Sequence, residues 1–128
     1  MNNRGKSLFL VGVLSLFLVA CGGSQIESPV TPASDKLTFL YFYTDSWIPW
    51  QNMQPIVNGL KDEYIDQIEF RNMNASSGEG KQAFQAYRLL GHPSYVVLNE
   101  SGEVIWKELG EKTSDQIKVQ LELMLQGQ

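Results

Sequence analysis

Few side chains in this sequence are able to do covalent, redox or acid–base chemistry near neutral pH. There is one cysteine, Cys21, and one histidine, His92. A single thiol forms neither an intramolecular disulfide nor a Cys-x-x-Cys pair, and a multi-His or Cys-rich metal site lacks its ligands. Asp45, Ser46 and His92 supply the residue types of a nucleophile, base and orienter, but no nucleophile elbow surrounds Ser46. Met53 and Met73 can be oxidised to sulfoxides, yet a thioether cannot form a disulfide. Aromatic residues, by contrast, are dense. Tyr43 is followed by Trp47-Ile48-Pro49-Trp50, two indoles three residues apart. Such rings bury a large area at little entropic cost and dominate interface hot spots, so these residues point to binding before catalysis.

The surrounding chain must position those rings, and its N-terminus has a different task. Arg4 and Lys6 precede an apolar run over residues 8–20, the pattern of an export signal. As a helix the run covers roughly 20 Å, short of the ~20 residues a bilayer core needs. Its end, Leu18-Val19-Ala20-Cys21, followed by Gly22-Gly23-Ser24, resembles the lipobox of bacterial lipoproteins. That resemblance implies cleavage before Cys21, a diacylglyceryl thioether on its sulfur and further acylation, such as palmitate, on the new N-terminus. Two or three acyl chains anchor a protein far more firmly than one. Cleavage also removes Arg4 and Lys6 and no acidic residue, so the exported body is more acidic than the -4 of the whole chain. No polybasic patch assists the anchor.

Residues 22–36 are rich in Gly, Ser, Thr and Pro, a linker composition that spans up to roughly 50 Å. The expected organisation is therefore a signal peptide over residues 1–20, a lipidated Cys21 with a flexible tether over 21–36, and one domain over 37–126. With 128 residues, one domain is the expected ceiling, and 10 basic against 14 acidic residues argue against a nucleic-acid binder built on counterion release.

The domain reads as alternating strands and helices. Leu37 to Tyr43 (LTFLYFY) is continuously apolar and aromatic, which suits a central strand buried on both faces. Over residues 50–64, Trp50, Met53, Val57, Leu60 and Tyr64 fall three or four apart and predict a helix, with Pro55 inside it as a kink. Residues 67–73 predict a second strand, and residues 79–90 a short helix ended by Gly91. Residues 94–98 and 103–107 predict a hairpin around Asn99-Glu100-Ser101-Gly102. Thr113 with Gln116 resembles a capping box opening a last helix that carries Ile117, Leu121, Met124 and Leu125. The order β-α-β-α-β-β-α predicts an α/β fold with a mixed central sheet flanked by helices.

From Leu37 to Leu125 this order resembles the thioredoxin fold. Four landmarks carry the resemblance: an apolar strand entering an aromatic segment, Pro55 inside the first helix, Gly91-His92-Pro93-Ser94 in the place of a Gly-x-Pro-Thr segment with its cis-proline, and a closing hairpin that ends at Gly110. The family's redox motif is Trp-Cys-x-x-Cys, with the second cysteine five residues before the helix proline. The same count from Pro55 lands on Trp50, and the first cysteine position falls on Trp47. The family's buried aspartate falls at Tyr41. Disulfide exchange needs one sulfur to attack and another to resolve the mixed disulfide, and indoles do neither.

The resemblance implies that the start of the first helix and the cis-proline loop form a groove for polypeptide. Tyr43, Trp47, Ile48, Pro49, Trp50, His92 and Pro93 are expected to line it, with the His92 backbone pairing to an extended chain. Trp50 is equally explained as the first core residue of its helix, with Trp47 plugging a dead site. The expected function is an exported, membrane-anchored lipoprotein, facing the periplasm or cell exterior, that binds or scaffolds exported proteins or peptides. It would use no cofactor, metal or nucleic acid, and would not be a self-sufficient disulfide oxidoreductase. The alternative is a thioredoxin-family enzyme of thiol–disulfide homeostasis that uses cysteines supplied by a partner.

Overall fold

The computed structural model describes residues 28–46 and 48–128, so the expected signal peptide over residues 1–20, Cys21 and Trp47 lie outside the described residues. The elements follow in the order β1 (Leu37–Tyr43), α1 (Ile48–Glu63), β2 (Ile68–Asn74), α2 (Gly78–Ala86), β3 (Ser94–Leu98), β4 (Val104–Leu109) and α3 (Ser114–Gln126). They build a mixed four-stranded sheet in the order β2-β1-β3-β4. β1 pairs in parallel with β2 and antiparallel with β3, and β4 closes the antiparallel hairpin. This is the α/β, thioredoxin-like architecture that the sequence predicts.

The lack of polar alternation in β1 follows from its position between two cores. Leu37, Phe39 and Tyr41 pack on one face with Met53, Val57 and Leu60 of α1 and Ile117 and Leu121 of α3. Leu40 and Phe42 pack on the other with Ala83 of α2, Tyr87 and Val96. Each fully buried Leu, Ile, Val, Phe or Met among them stabilises the fold by about 1.5–3 kcal/mol relative to exposure. Pro55 is accommodated inside α1, which begins two residues earlier than its apolar spacing suggests.

Two boundaries differ from the sequence reading. α2 stops at Ala86, well before Gly91, because Arg88 turns into the left-handed region at φ 54°. Arg88 N–H donates to the Gln85 carbonyl (3.0 Å) and Leu89 N–H to the Phe84 carbonyl (3.1 Å), the paired bonds of a Schellman stop. Glycine ordinarily holds that position, so arginine there gives no signal in sequence. β4 runs on to Leu109, past the expected Lys107, with Ile105 as the extra residue at a register shift between Val97 and Leu98.

The described part of the expected tether, residues 28–36, is docked on the domain. Val30 is completely buried among Leu40, Phe42, Met73 and Tyr87. Ser28 Oγ donates to the Val30 carbonyl (2.8 Å) and lies 2.8 Å from the Tyr87 hydroxyl. Ala33 N–H donates to Thr38 Oγ1 (2.8 Å), and Arg71 Nη1 to the Thr31 carbonyl (2.7 Å). The packed body thus begins before Leu37, and the chain between Cys21 and Ser28 spans at most roughly 25 Å.

The hairpin turn and the last helix form as their residues dictate. Gly102 supplies φ 84°, while Asn99 Oδ1 accepts from Ser101 N–H, Ser101 Oγ and Glu103 N–H. Gln116 N–H donates to Thr113 Oγ1 (3.2 Å) and Thr113 N–H returns a bond to Gln116 Oε1 (2.9 Å), completing the capping box. No helix among the described residues is long and apolar enough to cross a membrane.

Candidate functional site

The antiparallel register of β1 and β3 sets Phe42 opposite Ser94 and Tyr41 opposite Tyr95. The end of β1 therefore meets the loop that enters β3, where the His92–Pro93 peptide bond is cis. Two bonds fasten that loop: Gly110 N–H donates to the Pro93 carbonyl (2.9 Å), and Ser94 Oγ donates to the Gly91 carbonyl (2.5 Å). The first turn of α1 approaches from the other side. The result is a shallow, narrow cleft lined by Tyr41, Tyr43, Thr44, Trp50, His92 and Pro93, too narrow to admit a water-sized sphere.

Of the residues expected there, Tyr43, Trp50, His92 and Pro93 line this cleft. Ile48, the first residue of α1, is 77% exposed and is not among the lining residues. Pro49 is the second residue of α1, and Trp47 lies outside the described residues. Trp50 joins both readings: it is half-buried, packs against the core shared by β1, α1 and α3, and also faces the cleft. Its ring lies 5.8 Å from that of Tyr43. Tyr41 and Thr44 were missed. Tyr41 shares a strand face with Tyr43 by the two-residue period, which is the one sequence signal that places it here.

Tyr41 lines the cleft, and Tyr95 lies buried behind it. They are 1% and 0% exposed, and their rings stack 5.9 Å apart at 19°. Neither hydroxyl finds a hydrogen-bond partner among the described residues. Burial first, then the nearby Tyr43 and Glu111, push the Tyr41 phenol up to about 12. Burial, then Tyr41 and Glu111, push Tyr95 up as well. Both remain neutral donors at physiological pH. Tyr41, at the position counted to the family's aspartate, therefore cannot relay a proton as a carboxylate would. The stack continues from Tyr95 to Trp106 (6.1 Å), so the groove rings are braced through the sheet.

Neighbouring groups add little reactivity. Asp45 accepts a bond from Asn74 Nδ2 (2.8 Å), which ties the loop after β1 to the end of β2. Met53 and Met73 are 1% and 5% exposed, so their sulfurs are shielded from solvent oxidants. Among the described residues no group of three or more His, Cys, Asp or Glu is arranged to hold a metal ion.

Two curated proteins resemble the chain in sequence. The thiol:disulfide interchange protein TxlA of Synechococcus elongatus is 26% identical over 99 residues, covering 77% of this chain and 52% of that protein. The thiol:disulfide interchange protein TxlA homolog of Synechocystis sp. is 29% identical over 91 residues, covering 70% of this chain and 51% of that protein. The chain thus spans about half the length of the curated relatives it matches. No protein-family model matches it. Architecture and relatives agree on one conclusion: the chain carries a thioredoxin-like fold, and its sequence is similar to that of thiol:disulfide interchange proteins.

Proposed function

We propose that the chain serves thiol:disulfide interchange by holding a polypeptide, while a partner supplies the sulfurs. The observation that carries this reading is the meeting of Trp50 and Tyr43 with the cis His92–Pro93 loop in one cleft. The relatives' names favour a role in interchange over the free-standing scaffold expected from sequence. Cys21 is the one cysteine of this sequence, which therefore offers no dithiol of its own, and this reading assigns both reacting thiols to the partner. One partner thiolate attacks the substrate disulfide, and the second resolves the mixed disulfide. The partner's dithiol is thereby oxidised as the substrate is reduced. This chain contributes the His92 backbone, which pairs with an extended segment, and the Trp50 face, against which a side chain rests.

The test measures anisotropy of fluorescein-labelled, reduced and S-alkylated insulin B chain with the wild type and with Trp50→Ala. A loss of about tenfold or more is expected for removing a central indole. Equal affinity would remove the groove. Insulin reduction is expected to be absent with this chain alone, and turnover with no other thiol protein or reagent added would overturn the partner-thiol reading.

The N-terminal pattern supports lipidation of Cys21, which would place the groove on an exported, membrane-anchored protein. Metabolic labelling with palmitate checks it: label is expected on the wild type and none on Cys21→Ser.

A further inference from the structure

A second cleft lies beside the cis-proline loop, on the flank of β4. It encloses about 220 Å³ and is lined by Arg88, Leu89, Leu90, Ser94, Lys107, Glu108 and Leu109. Three observations single it out. Leu90 is 92% exposed and Leu109 47% exposed, so two large apolar side chains stand in solvent at its rim. Arg88 occupies the left-handed backbone position that ends α2, a conformation glycine takes without strain, and strained positions of this kind cluster at functional sites. Among the described residues β4 is an edge strand paired with β3 alone, which leaves the outward half of its backbone groups to a further strand.

The charges in the cleft are unbalanced toward positive. Lys107 Nζ donates to the Tyr87 carbonyl (3.2 Å), which leaves two of its three donors for another acceptor. Glu108, the one carboxylate among the lining residues, is bridged by Lys112 (3.3 Å). A cationic, leucine-rimmed cleft on an otherwise acidic chain is complementary to a carboxylate flanked by apolar side chains. The free strand edge selects an extended polypeptide as the carrier of that carboxylate.

We propose that this cleft docks an acidic, apolar segment of extended polypeptide, with Arg88 and Lys107 meeting its carboxylate and Leu90 and Leu109 covering its apolar neighbours. The proposal rests on the polypeptide-holding reading of the adjoining groove and deepens it, because it names the substrate class. Docking along β4 makes one continuous track from the edge of the sheet to the cis-proline loop, so a segment bound here leads the next residues toward Trp50.

The experiment uses the full chain and fluorescein-labelled eight-residue peptides that differ only at a central Leu-Glu-Leu or Leu-Gln-Leu. The Glu peptide is expected to bind about threefold to fivefold more tightly at low salt, the size of effect an exposed ion pair gives, and less so at high salt. Arg88→Gly is expected to reduce the preference, with an unchanged or higher melting temperature since glycine suits that backbone position, and Arg88→Gly with Lys107→Gln is expected to bind both peptides alike. Leu90→Ser is expected to weaken the Glu peptide without altering the fold. A wild type that treats the two peptides equally, or a preference that survives undiminished in Arg88→Gly with Lys107→Gln, would overturn the cleft proposal while leaving the groove standing. Loss of Gln-peptide binding in Trp50→Ala supports the groove independently, and a wild type that binds neither peptide would overturn both. Sedimentation with phosphatidylglycerol vesicles that Arg88→Gly abolishes, with no peptide preference, would make the ligand a lipid surface and would also overturn it.

Discussion

The two ends of the sheet are built to different standards. At the hairpin end, polar groups are saturated: Asn99 Oδ1 accepts three bonds, Thr38 receives Ala33 N–H, and Ser28 joins Tyr87. The docked residues 28–36 seal that end with the fully buried Val30. At the groove end, the Tyr41 and Tyr95 hydroxyls have no partner among the described residues, and Ile48 stands exposed. Along the flank leading to that end, Arg88 is held in a left-handed conformation and Leu90 is exposed. Each unpaired buried hydroxyl costs about 1–3 kcal/mol and a left-handed non-glycine about 1–2 kcal/mol. Among the described residues, the unpaired buried hydroxyls and the left-handed non-glycine therefore lie toward the clefts, whereas exposed apolar side chains occur at both ends, Val104 and Ile105 at the hairpin included. Local rules are broken in this way at sites kept for binding.

The largest effect that would sharpen this contrast is at the sealed end. Val30→Ala is expected to cost about 2–3 kcal/mol in chemical denaturation while leaving insulin B chain binding intact. A neutral result would return residues 28–36 to the status of a loose tether. Next come the orphaned phenols, for which the sign is reversed. Tyr41→Phe and Tyr95→Phe are each expected to raise stability by about 1–2 kcal/mol, because a desolvated hydroxyl without a partner is removed. The folded chain holds the Tyr41 proton to about pH 12, whereas the unfolded chain releases it near 10.0. Stability from this group is complete below about pH 10 and is lost as pH rises through 12, so Tyr41→Phe should flatten that alkaline loss.

Asn99→Ala at the hairpin end is expected to cost about 1 kcal/mol, read from the same denaturation curves. A gain at Asn99, or a loss at Tyr41, would break the comparison directly. The smallest effect is Arg88→Gly, which should raise the melting temperature by the equivalent of a few tenths to about 1 kcal/mol. Relief of the left-handed strain is partly offset by the looser unfolded chain.

Much of the fold was legible in the residues. The unbroken apolar run of β1 announced a strand buried on both sides, and Asn99 through Gly102 announced the turn. Thr113 with Gln116 announced the cap of α3, since each depends on sterics and hydrogen bonds within a few residues. The end of α2 was not legible. Arg88 adopts its left-handed conformation because Tyr87 and Leu89 are drawn into the core around Ala83 and Phe42, a force that no local pattern carries. The docking of residues 28–36 was hidden likewise, because a single Val30 in a Pro- and Ser-rich stretch has no periodicity to reveal it.

The site divided in the same way. Tyr43, Trp50, His92 and Pro93 were expected together through the resemblance to the thioredoxin fold, which sets the start of the first helix against the cis-proline loop. Tyr41 entered the cleft through the β1–β3 register that seats it on Tyr95, and Ile48 stayed out. What the sequence alone determined is a chemical limit: with a single cysteine, Cys21, no arrangement of these 128 residues creates a dithiol. What only the tertiary structure decided is which side chains share a cleft and which polar groups go unpaired. Both depend on contacts between residues some fifty positions apart, whose geometry is set by the pairing of strands and not by their neighbours in the chain.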